Sequence, residues 1–247
     1  MPILLLTATV TPPAGAVQLQ RTDPGQRLDD YAQALQFYIP LLERRVFDAI
    51  VFTENSESDI GRLRGVAAAS SARDRIEFIS FQGLDYPPEF GRAYGELKLV
   101  DHAMRHSRLV QAAGPDTMVW KVTGRYIIRN IEKLLRVRPD ARFVCHCRDL
   151  PRRWADMYVM GWTKRDYPRV LHGLWDHLKE SELKTSAEQA FRHQVDALAR
   201  MLPVQRRFAV PPIVVGARGL DNSRYEQRPL PTAVRSVMNV LAPWIWI

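Results

Sequence analysis

Continuous apolar runs alternate with stretches of helical periodicity along the first 150 residues of the chain. The apolar runs predict five strands, at residues 3–10, 48–53, 76–81, 117–121 and 142–147. Between them, apolar side chains recur every three or four positions, as Leu28, Tyr31 and Leu35 do within residues 27–45, which is the spacing of one helix face. Such alternation is typical of a mostly parallel sheet with helices on its faces. We therefore expect a single Rossmann-like α/β domain.

The pattern changes after residue 151. Residues 153–161, 167–178 and 187–202 carry aromatic and methionine side chains at spacings that predict helices, and residues 211–215 predict a late strand. Residues 232–241 predict an amphipathic helix. The expected fold class is thus α/β with a helical C-terminal extension, and no repeat or obvious linker divides the 247 residues.

The composition is that of a globular protein with an excess of positive charge. Hydrophobic residues make up 46% of the chain, enough for a large core, and the formal net charge is +8 at pH 7. This charge favours anionic partners, which include phosphorylated substrates, nucleic acid and membrane surfaces. The apolar residues 1–6 are too few for a signal peptide or a membrane span, and we assign them to the first buried strand. No other run is long enough to cross a bilayer.

The two cysteines, Cys145 and Cys147, flank His146 within a predicted strand. Alternation along a strand directs both thiols to one face, and their short separation disfavours a mutual disulfide. Because free cysteines are commonly buried, core thiols are favoured over a metal site, and a reducing cytoplasm fits. The six histidines show no HExxH or paired-ligand spacing. We expect no metal.

Three widespread motifs are missing from the sequence. It contains no GxxxxGK[ST] loop, no GxGxxG after the first strand and no GxSxG elbow. These absences disfavour P-loop nucleoside triphosphatases, dinucleotide-binding enzymes and hydrolases with a nucleophile elbow.

The segment WKVTGRY at residues 120–126 carries most of the candidate chemistry. It leaves a predicted strand, turns at a glycine and enters a helix predicted over residues 127–135. In an open parallel sheet, ligands bind where strands end and loops turn into helices. Because Lys121 and Arg125 lie in this turn, it is a candidate site for a phosphate-bearing ligand. A basic turn that only closes the sheet edge is the equally supported alternative.

A second segment, GRAYGEL at residues 91–97, begins another predicted helix. Glu96 and Lys98 lie off the apolar line of this helix. The loop before it and the turn after the fourth strand open on the same edge of a parallel sheet. We therefore expect Lys121 and Arg125 to face Glu96 and Lys98 across one cleft.

These two segments, together with Asn130, resemble bacterial transferases of lipopolysaccharide and capsule assembly, which carry a Lys-x-x-Gly-Arg-Tyr turn. The order of elements resembles that of GT-A-type glycosyltransferases, and the resemblance covers residues 1–194. It implies transfer of a sugar from a nucleotide-sugar donor to a glycan or lipid-linked glycan acceptor of lipopolysaccharide, capsule or O-antigen. Residues 1–150 would bind the nucleotide-sugar, and residues 151–247 would form a helical half on the acceptor side of the same domain.

One departure from the commoner GT-A pattern changes the expected chemistry. Where an Asp-x-Asp pair usually follows the fourth strand and holds a divalent metal on the donor diphosphate, this chain has residues 121–126. Fixed Lys and Arg side chains neutralise leaving-group charge as a metal ion does, and Arg does so by bidentate contact with phosphate oxygens. The resemblance therefore implies transfer without a divalent metal and without a cofactor besides the nucleotide-sugar substrate.

The expected site residues form a donor group and a pair of acids. The donor group consists of Thr7, Asn55, Ser56, Glu96, Lys98, Lys121, Gly124, Arg125 and Tyr126. Within it, Lys121 and Arg125 would stabilise the departing phosphate, Tyr126 would stack on or hydrogen-bond the donor, and the residues after strands one and two would hold base and ribose. An inverting transfer needs a general base for the acceptor hydroxyl. Asp156 is the first choice and Glu188 the second, although each is equally well explained as a solvated acid on a helix surface.

Aromatic residues leave two further alternatives open. Five of them suit either sugar stacking or core packing: Trp154, Tyr158, Trp162, Tyr167 and Trp175. Trp244 and Trp246, near Arg235, suit either a membrane interface, which a lipid-linked acceptor would use, or docking onto the domain. The expected location is the cytoplasm, at the inner face of the membrane in the first case.

Two other functional classes compete with glycosyl transfer. A basic nucleic-acid-binding module is disfavoured because the Lys and Arg residues are dispersed and no recognised motif is present. A transferase of another nucleotide-borne group, such as sulfate, is disfavoured because no Lys/Arg/Ser-rich loop follows strand one.

Overall fold

The structure, a computed structural model, describes residues 1–16 and 19–225. Its strands are β1 (Ile3–Ala8), β2 (Ala49–Glu54), β3 (Ile76–Ser80), β4 (Met118–Thr123), β5 (Ile127–Ile128), β6 (Phe143–Arg148), β7 (Trp154–Thr163), β8 (Val204–Gln205) and β9 (Val214–Val215). Seven of them form one sheet in the spatial order β3-β2-β1-β4-β7-β6-β8, and β5 pairs with β9 beside it.

The sheet is mostly parallel. β1 lies near its centre and pairs in parallel with β2 and β4, while β2 pairs in parallel with β3 and β6 with β8. Only β7 among the strands of this sheet runs antiparallel to its neighbours, β4 and β6. The predicted fold class, a mostly parallel Rossmann-like sheet flanked by helices, is confirmed.

Helices cover both faces of the sheet. They are α1 (Pro24–Glu43), α2 (Gly61–Ala68), α3 (Gly91–His106), α4 (Arg108–Ala112), α5 (Ile131–Leu134), α6 (Tyr167–Val170) and α7 (Ala187–Leu198). Side chains alternate along β1, so Leu4 and Leu6 pack in the core under α1 while Ile3 and Leu5 pack in the core under α3. This alternation decides which polar side chains at the strand ends meet which helix.

The structure corrects the prediction of a helix over residues 153–161, because this segment is the strand β7. Its apolar residues are nearly continuous and buried on both faces, since β4 and β6 enclose the strand and its side chains enter both cores, Val159 under α1 and Met160 under α3. Periodicity alone does not separate such a run from a buried helix. The second half of the chain is therefore not all helical: it adds β7 and β8 to the sheet.

Other differences are smaller. The helix predicted over residues 127–135 is replaced by the short β5 and the single-turn α5, and the helix predicted over 167–178 is reduced to α6 and a 3₁₀ turn. Residues 187–202 and 211–215 shorten to α7 and β9. The helix predicted over 232–241, with Trp244 and Trp246, lies outside the described residues.

Two further expectations concern the cysteines and the membrane. Cys145 and Cys147 are buried free thiols with their Sγ atoms 3.7 Å apart, both in the core under α3, as predicted. Among the helices of residues 1–16 and 19–225, none has the length and apolar character needed to cross a bilayer.

Candidate active site

A cavity of about 750 Å³ opens at the carboxyl ends of β1, β4 and β6. It is lined by Thr7 and Thr123 from the first two of these strands and by Arg148 from the third. Because β7 runs antiparallel, its first residues lie at the same edge and contribute Trp154 and Asp156. The volume is within the range typical of small-molecule sites, and the position matches the general rule for open parallel sheets.

A carboxylate from α3 is fixed between β1 and β4. Thr7 and Thr123 are register partners, and their side chains project to the α3 face together with that of Lys121. All three donate to one atom, Oε1 of Glu96, with the threonine hydroxyls at 2.7 Å and the lysine Nζ at 2.6 Å. Glu96 therefore faces the sheet, which the sequence analysis did not expect. It lies four residues before Val100, on the side of α3 that packs on the strands.

The structure corrects the expected role of Lys121. Its side chain is 1% exposed and is not among the residues that line the cavity. Besides Glu96, its Nζ donates to the Met157 carbonyl at 2.6 Å. That carbonyl is free to accept because the pairing of β6 with β7 shifts between Cys145 and His146, which leaves Met157 without a β6 partner. Lys121 supports Glu96 from behind and is not placed to contact a phosphate.

Electrostatics keep Glu96 ionised. Burial alone would raise the pKa of its carboxyl, but the Lys121 charge and the hydrogen bonds from Lys121, Thr123 and Thr7 outweigh burial and hold the pKa below its ordinary value. Burial lowers the pKa of Lys121, and Glu96 opposes that shift. The side chain of Glu96 is 23% exposed and lines the cavity, so its charge acts on whatever binds there.

The turn after β4 is held tightly against β1. The backbone N–H of Gly124 donates to the Thr7 carbonyl at 2.8 Å, and a Cβ at position 124 would lie 2.7 Å from that same oxygen. A side chain at this position is therefore excluded by backbone. The turn directs Arg125 and Tyr126 to the cavity, where both side chains are buried and line it.

Arg125 is a buried cation with no counter-ion among residues 1–16 and 19–225. It is 8% exposed, its Nη2 donates to the Tyr126 hydroxyl at 3.2 Å, and no described carboxylate lies within 4.0 Å of it. Its Nε is buried without a hydrogen-bond partner. Buried charges are normally paired, and an arginine is effectively always protonated. The arrangement leaves a charged guanidinium at the cavity wall that no described carboxylate neutralises.

Other arginines surround this one. Among the described residues, six arginines line the cavity: Arg27, Arg92, Arg125, Arg148, Arg152 and Arg218. Arg27 is 5% exposed and is fixed by Thr9 and Arg21 carbonyls and the Tyr31 hydroxyl, at 2.7, 2.9 and 3.1 Å. The cavity is therefore cationic, although four acids also line it: Glu96, Asp156, Glu180 and Glu188.

Asp156, the first choice for a general base, lies on a strand and not on a helix surface. Its Oδ1 accepts from Arg148 Nη2 and from Trp154 Nε1, the latter at 2.8 Å, and its Oδ2 accepts from the Tyr158 hydroxyl at 3.2 Å. It is 3% exposed. Three donors thus hold the carboxylate, which orients Arg148 and Trp154 at the cavity wall.

Glu188 is in a different position. It lies in the first turn of α7, is half-buried and lines the cavity, and makes no hydrogen bond or ion pair with any described residue. Glu180 lies nearby, and burial raises the pKa of its carboxyl while Arg92 opposes the shift. Of the two predicted acids, Glu188 is the one whose carboxylate is available to a ligand.

Three other predicted donor residues are not at the cavity. Asn55 is buried and accepts from the Thr9 hydroxyl at 2.6 Å, and Ser56 bonds to the Glu54 carboxylate. Lys98 pairs with Asp85 at 2.6 Å. None of the three lines the cavity, because the loop after β2 folds back on its own polar groups and Lys98 projects from the other side of α3.

The five aromatic residues for which sugar stacking and core packing were both open divide between the cavity and the core. Trp154 and Tyr158 line the cavity, whereas Trp162 and Tyr167 are buried in the core under α3 and Trp175 packs against it. Sequence reasoning did not assign Arg27 or Arg148 to the site. A signal existed for each: Arg27 occupies an apolar-face position four residues before Tyr31, and Arg148 directly follows a predicted strand.

Within the part of the chain that the structure describes, no three side chains of His, Cys, Asp or Glu are gathered so that they could hold a metal ion. Two of the acids that line the cavity, Glu96 and Asp156, are each already paired with a basic side chain.

Sequence comparison identifies no relatives for this chain. No protein-family description matches it, and no curated protein does.

Solved structures with a similar chain path exist at low identity. A putative nucleotide-diphospho-sugar transferase from Desulfovibrio desulfuricans G20 has a TM-score of 0.48 at 15% identity, over 83% of this chain and 80% of that one. The galactosyltransferase LgtC, in complex with donor and acceptor sugar analogs, has a TM-score of 0.48 at 12% identity, over 83% and 73%. A nucleoside-diphosphate-sugar pyrophosphorylase from Vibrio cholerae RC9 has a TM-score of 0.46 at 8% identity, over 83% and 91%. All three TM-scores are below 0.5.

Proposed function

We propose that this protein is a glycosyltransferase that moves a sugar from a nucleotide-sugar donor to a glycan acceptor. The observation that carries the proposal is Arg125, a buried guanidinium that lines the cavity and has no carboxylate within 4.0 Å among the described residues. A diphosphate supplies the missing negative charge, and its oxygens match the fork of N–H donors.

The remaining lining suits the rest of such a ligand. Trp154 and Tyr158 offer apolar faces to a sugar or a base, and Thr7, Thr123 and Glu96 offer hydrogen-bonding groups. A ligand that is anionic at one part and rich in hydroxyl groups elsewhere fits this division. Nucleic acid fits it less well, because the cavity encloses a small volume and the cations line it instead of forming a stripe on the surface.

The proposed chemistry is a displacement at the anomeric carbon. The acceptor hydroxyl oxygen forms a bond to this carbon, the bond from the carbon to the diphosphate oxygen breaks, and the diphosphate leaves with the electron pair. Arg125 stabilises the charge that develops on the leaving group. Glu188 takes the proton of the acceptor hydroxyl, a role that its free carboxylate supports better than the three-donor environment of Asp156 does.

The proposal extends to metal independence and to the acceptor. Guanidinium groups supply positive charge at the diphosphate, so the transfer needs no divalent ion. The acceptor is a surface glycan of the lipopolysaccharide, capsule or O-antigen kind, carried on lipid, and the protein works at the cytoplasmic face of the membrane. This part rests on the resemblance of residues 91–97 and 120–126 and on the tryptophans near the end of the chain.

A binding screen tests the core of the proposal. Thermal shift is measured with UDP-, GDP-, CMP- and dTDP-sugars, with 3′-phosphoadenosine 5′-phosphosulfate, and with a short duplex DNA and RNA. We expect one nucleotide-sugar to stabilise the wild-type protein most and Arg125→Gln to abolish that stabilisation. Arg73→Gln is the control, since Arg73 is 67% exposed and is not among the cavity residues. Preferential stabilisation by the phosphosulfate or by nucleic acid would contradict the proposal.

Metal independence has its own test. Sugar transfer, or hydrolysis of the bound nucleotide-sugar, should continue in excess EDTA. Activity that disappears in EDTA and returns with Mn²⁺ would overturn this part and leave the identity of the donor intact.

A further inference from the structure

One oxygen of Glu96 is left open by the contacts that fix the other. Thr7, Thr123 and Lys121 all reach Oε1, within 2.6–2.7 Å, and no described residue donates to Oε2. The side chain lines the cavity and is 23% exposed. The carboxylate is thus immobilised through one atom, and the side chain that carries the second, unbonded oxygen lines the cavity.

A purely structural ion pair would not need this asymmetry. Lys121 carries three N–H donors, and they go to Glu96, to the Met157 carbonyl at 2.6 Å and to the Thr123 hydroxyl at 3.2 Å. Its charge is neutralised by a carboxylate that still retains a full set of lone pairs on Oε2. Because this acceptor is already immobile, forming a hydrogen bond to a ligand loses little further side-chain entropy, which is the advantage of a preorganised site.

We propose that Oε2 of Glu96 accepts a hydrogen bond from a hydroxyl group of the bound nucleotide-sugar, and that Glu96 is therefore a specificity-determining residue. The inference rests on the proposed function, because that function supplies the hydroxyl-bearing ligand. Lys121, Thr7 and Thr123 are positioning residues that act through Glu96.

The charge of Glu96 restricts which part of the ligand it can contact. A carboxylate repels a diphosphate, so the phosphates lie at Arg125 and the neutral hydroxyl groups lie at Glu96. The two side chains belong to different elements, α3 and the turn after β4, and both line the same cavity. A hydroxyl that donates to this carboxylate belongs either to the ribose or to the transferred sugar, and these two sources are separable by experiment.

The test is a matrix of ligands against protein variants. The ligands are UDP-glucose, UDP-galactose, GDP-mannose and dTDP-glucose, the corresponding nucleoside diphosphates, and two sets of analogues of the tightest binder. One set lacks single hydroxyls of the sugar, and the other carries 2′- or 3′-deoxyribose. Affinities are measured by calorimetry on the whole chain for wild type, for Glu96→Gln and for the double variant Glu96→Gln/Lys121→Met.

The double variant is included because Glu96→Gln alone leaves the Lys121 ammonium buried without an anion and threatens folding. Glutamine and methionine keep the shape and remove both charges together. The analogue series on the wild-type protein needs no variant at all, so the test holds even if a variant is unstable.

We expect the wild type to bind one deoxy analogue about 10- to 100-fold more weakly than the parent, the usual effect of deleting a hydrogen bond to a charged group. The variants should lose this discrimination. If the sugar is the source, they should also bind the nucleoside diphosphate within about twofold of wild type. Discrimination confined to the ribose analogues would assign the contact to ribose.

Equal binding of every deoxy analogue by the wild type, or unchanged discrimination in the variants, would overturn the inference while the proposed function stands. A wild-type protein that binds none of these nucleotide-sugars would instead refute the proposed function, and the inference with it, before any variant is made.

Discussion

The Nζ atom of Lys121 lies 2.6 Å from Oε1 of Glu96, and this pair joins the middle of β4 to the face of α3. The two residues are 25 positions apart in sequence. Thr7 and Thr123, from the neighbouring strands β1 and β4, complete the same cluster. The pair fixes the helix over the end of the sheet and at the same time fixes a charged group in the cavity. A variant that removes one charge of the pair therefore changes both the stability of the fold and the charge in the cavity. A variant that removes both charges leaves no unpaired charge in the fold.

Lys121→Met should destabilise the fold. The substitution leaves the Glu96 carboxylate without its cation. Breaking a buried ion pair in this way costs about 3–5 kcal/mol of unfolding free energy. Lys121→Met/Glu96→Gln should recover part of this loss, since no unpaired charge remains. Urea denaturation of the two variants and wild type measures the difference. A double variant less stable than Lys121→Met would show that the ion pair is not the source of the effect.

Arg125→Lys should weaken nucleoside diphosphate binding tenfold or more, although the charge is kept. Lysine cannot form the two parallel N–H contacts of a guanidinium, and hydrogen bonds to charged groups contribute about 1.5–3 kcal/mol. Calorimetric titration with UDP, GDP and dTDP measures the loss. Equal affinities for Arg125→Lys and wild type would place the phosphates elsewhere in the cavity.

Glu188→Gln should lower kcat about 100-fold or more and leave the affinity for the nucleoside diphosphate unchanged, as expected for loss of a general base. Asp156→Asn should retain kcat within about tenfold, because Asp156 already accepts from Arg148, Trp154 and Tyr158. Steady-state kinetics of both variants distinguish the two acids. The opposite ranking would return the base role to Asp156.

Gly124→Ala should destabilise the fold by about 1–3 kcal/mol, the usual cost of overpacking. The new Cβ would lie 2.7 Å from the Thr7 carbonyl oxygen, and that backbone atom cannot move without disturbing β1. Gly65→Ala is the matched control: it lies within α2 with no atom within 4 Å of its Cβ position, so it should stabilise by about 0.4–1 kcal/mol. Thermal unfolding of both variants tests the contrast.

Acid should destabilise the start of α4 through Glu77. Burial tends to raise the pKa of this carboxyl, but donors from Ser107, Leu109 and Arg108 outweigh burial and lower the pKa beneath its ordinary 4.5. A lowered pKa in the folded state means that the contribution is present above the unfolded pKa and is lost as the pH falls through the folded one.

Glu77→Gln should therefore lose less unfolding free energy than wild type between pH 6 and pH 3, while starting about 1–3 kcal/mol lower at neutral pH. Asp74→Asn is the control, because Asp74 is exposed and its described ion pair, with Arg73, is long at 4.0 Å. Parallel pH profiles for Glu77→Gln and wild type would contradict the prediction.

The sequence was sufficient to predict five strands of the sheet, β1, β2, β3, β4 and β6, but not β7 or β8. The predicted strands follow from apolar runs, and α3 begins where helical spacing predicts, at Gly91. β7 was not predictable by the same means, because a strand buried on both faces shows no alternation. Its direction depends on pairing with β6, which directly precedes it, and with β4, which is distant in the chain.

The site was predicted in outline, with an error that has a physical origin. The turn at Gly124 and a cleft shared by Lys121 and Glu96 were expected, but the two side chains instead form an ion pair in which Glu96 faces the sheet. β4 continues two residues past its predicted end at Lys121, to Thr123, and side-chain alternation directs Lys121 into the core under α3. The sequence does not show which cations are already paired with an acid. In the structure Lys121 is paired with Glu96, whereas Arg125 has no described carboxylate within 4.0 Å.

The backbone N–H of Gln20 donates to the Gly219 carbonyl at 2.8 Å, and a Cβ at Gly219 would lie 2.8 Å from Nη2 of Arg125. A loop near the start of the chain and a loop near its end thus meet over the same guanidinium. During synthesis on the ribosome, every strand of the seven-stranded sheet is made before Gly219 is. The nascent protein therefore has every strand of this sheet before it has the loop that covers Arg125.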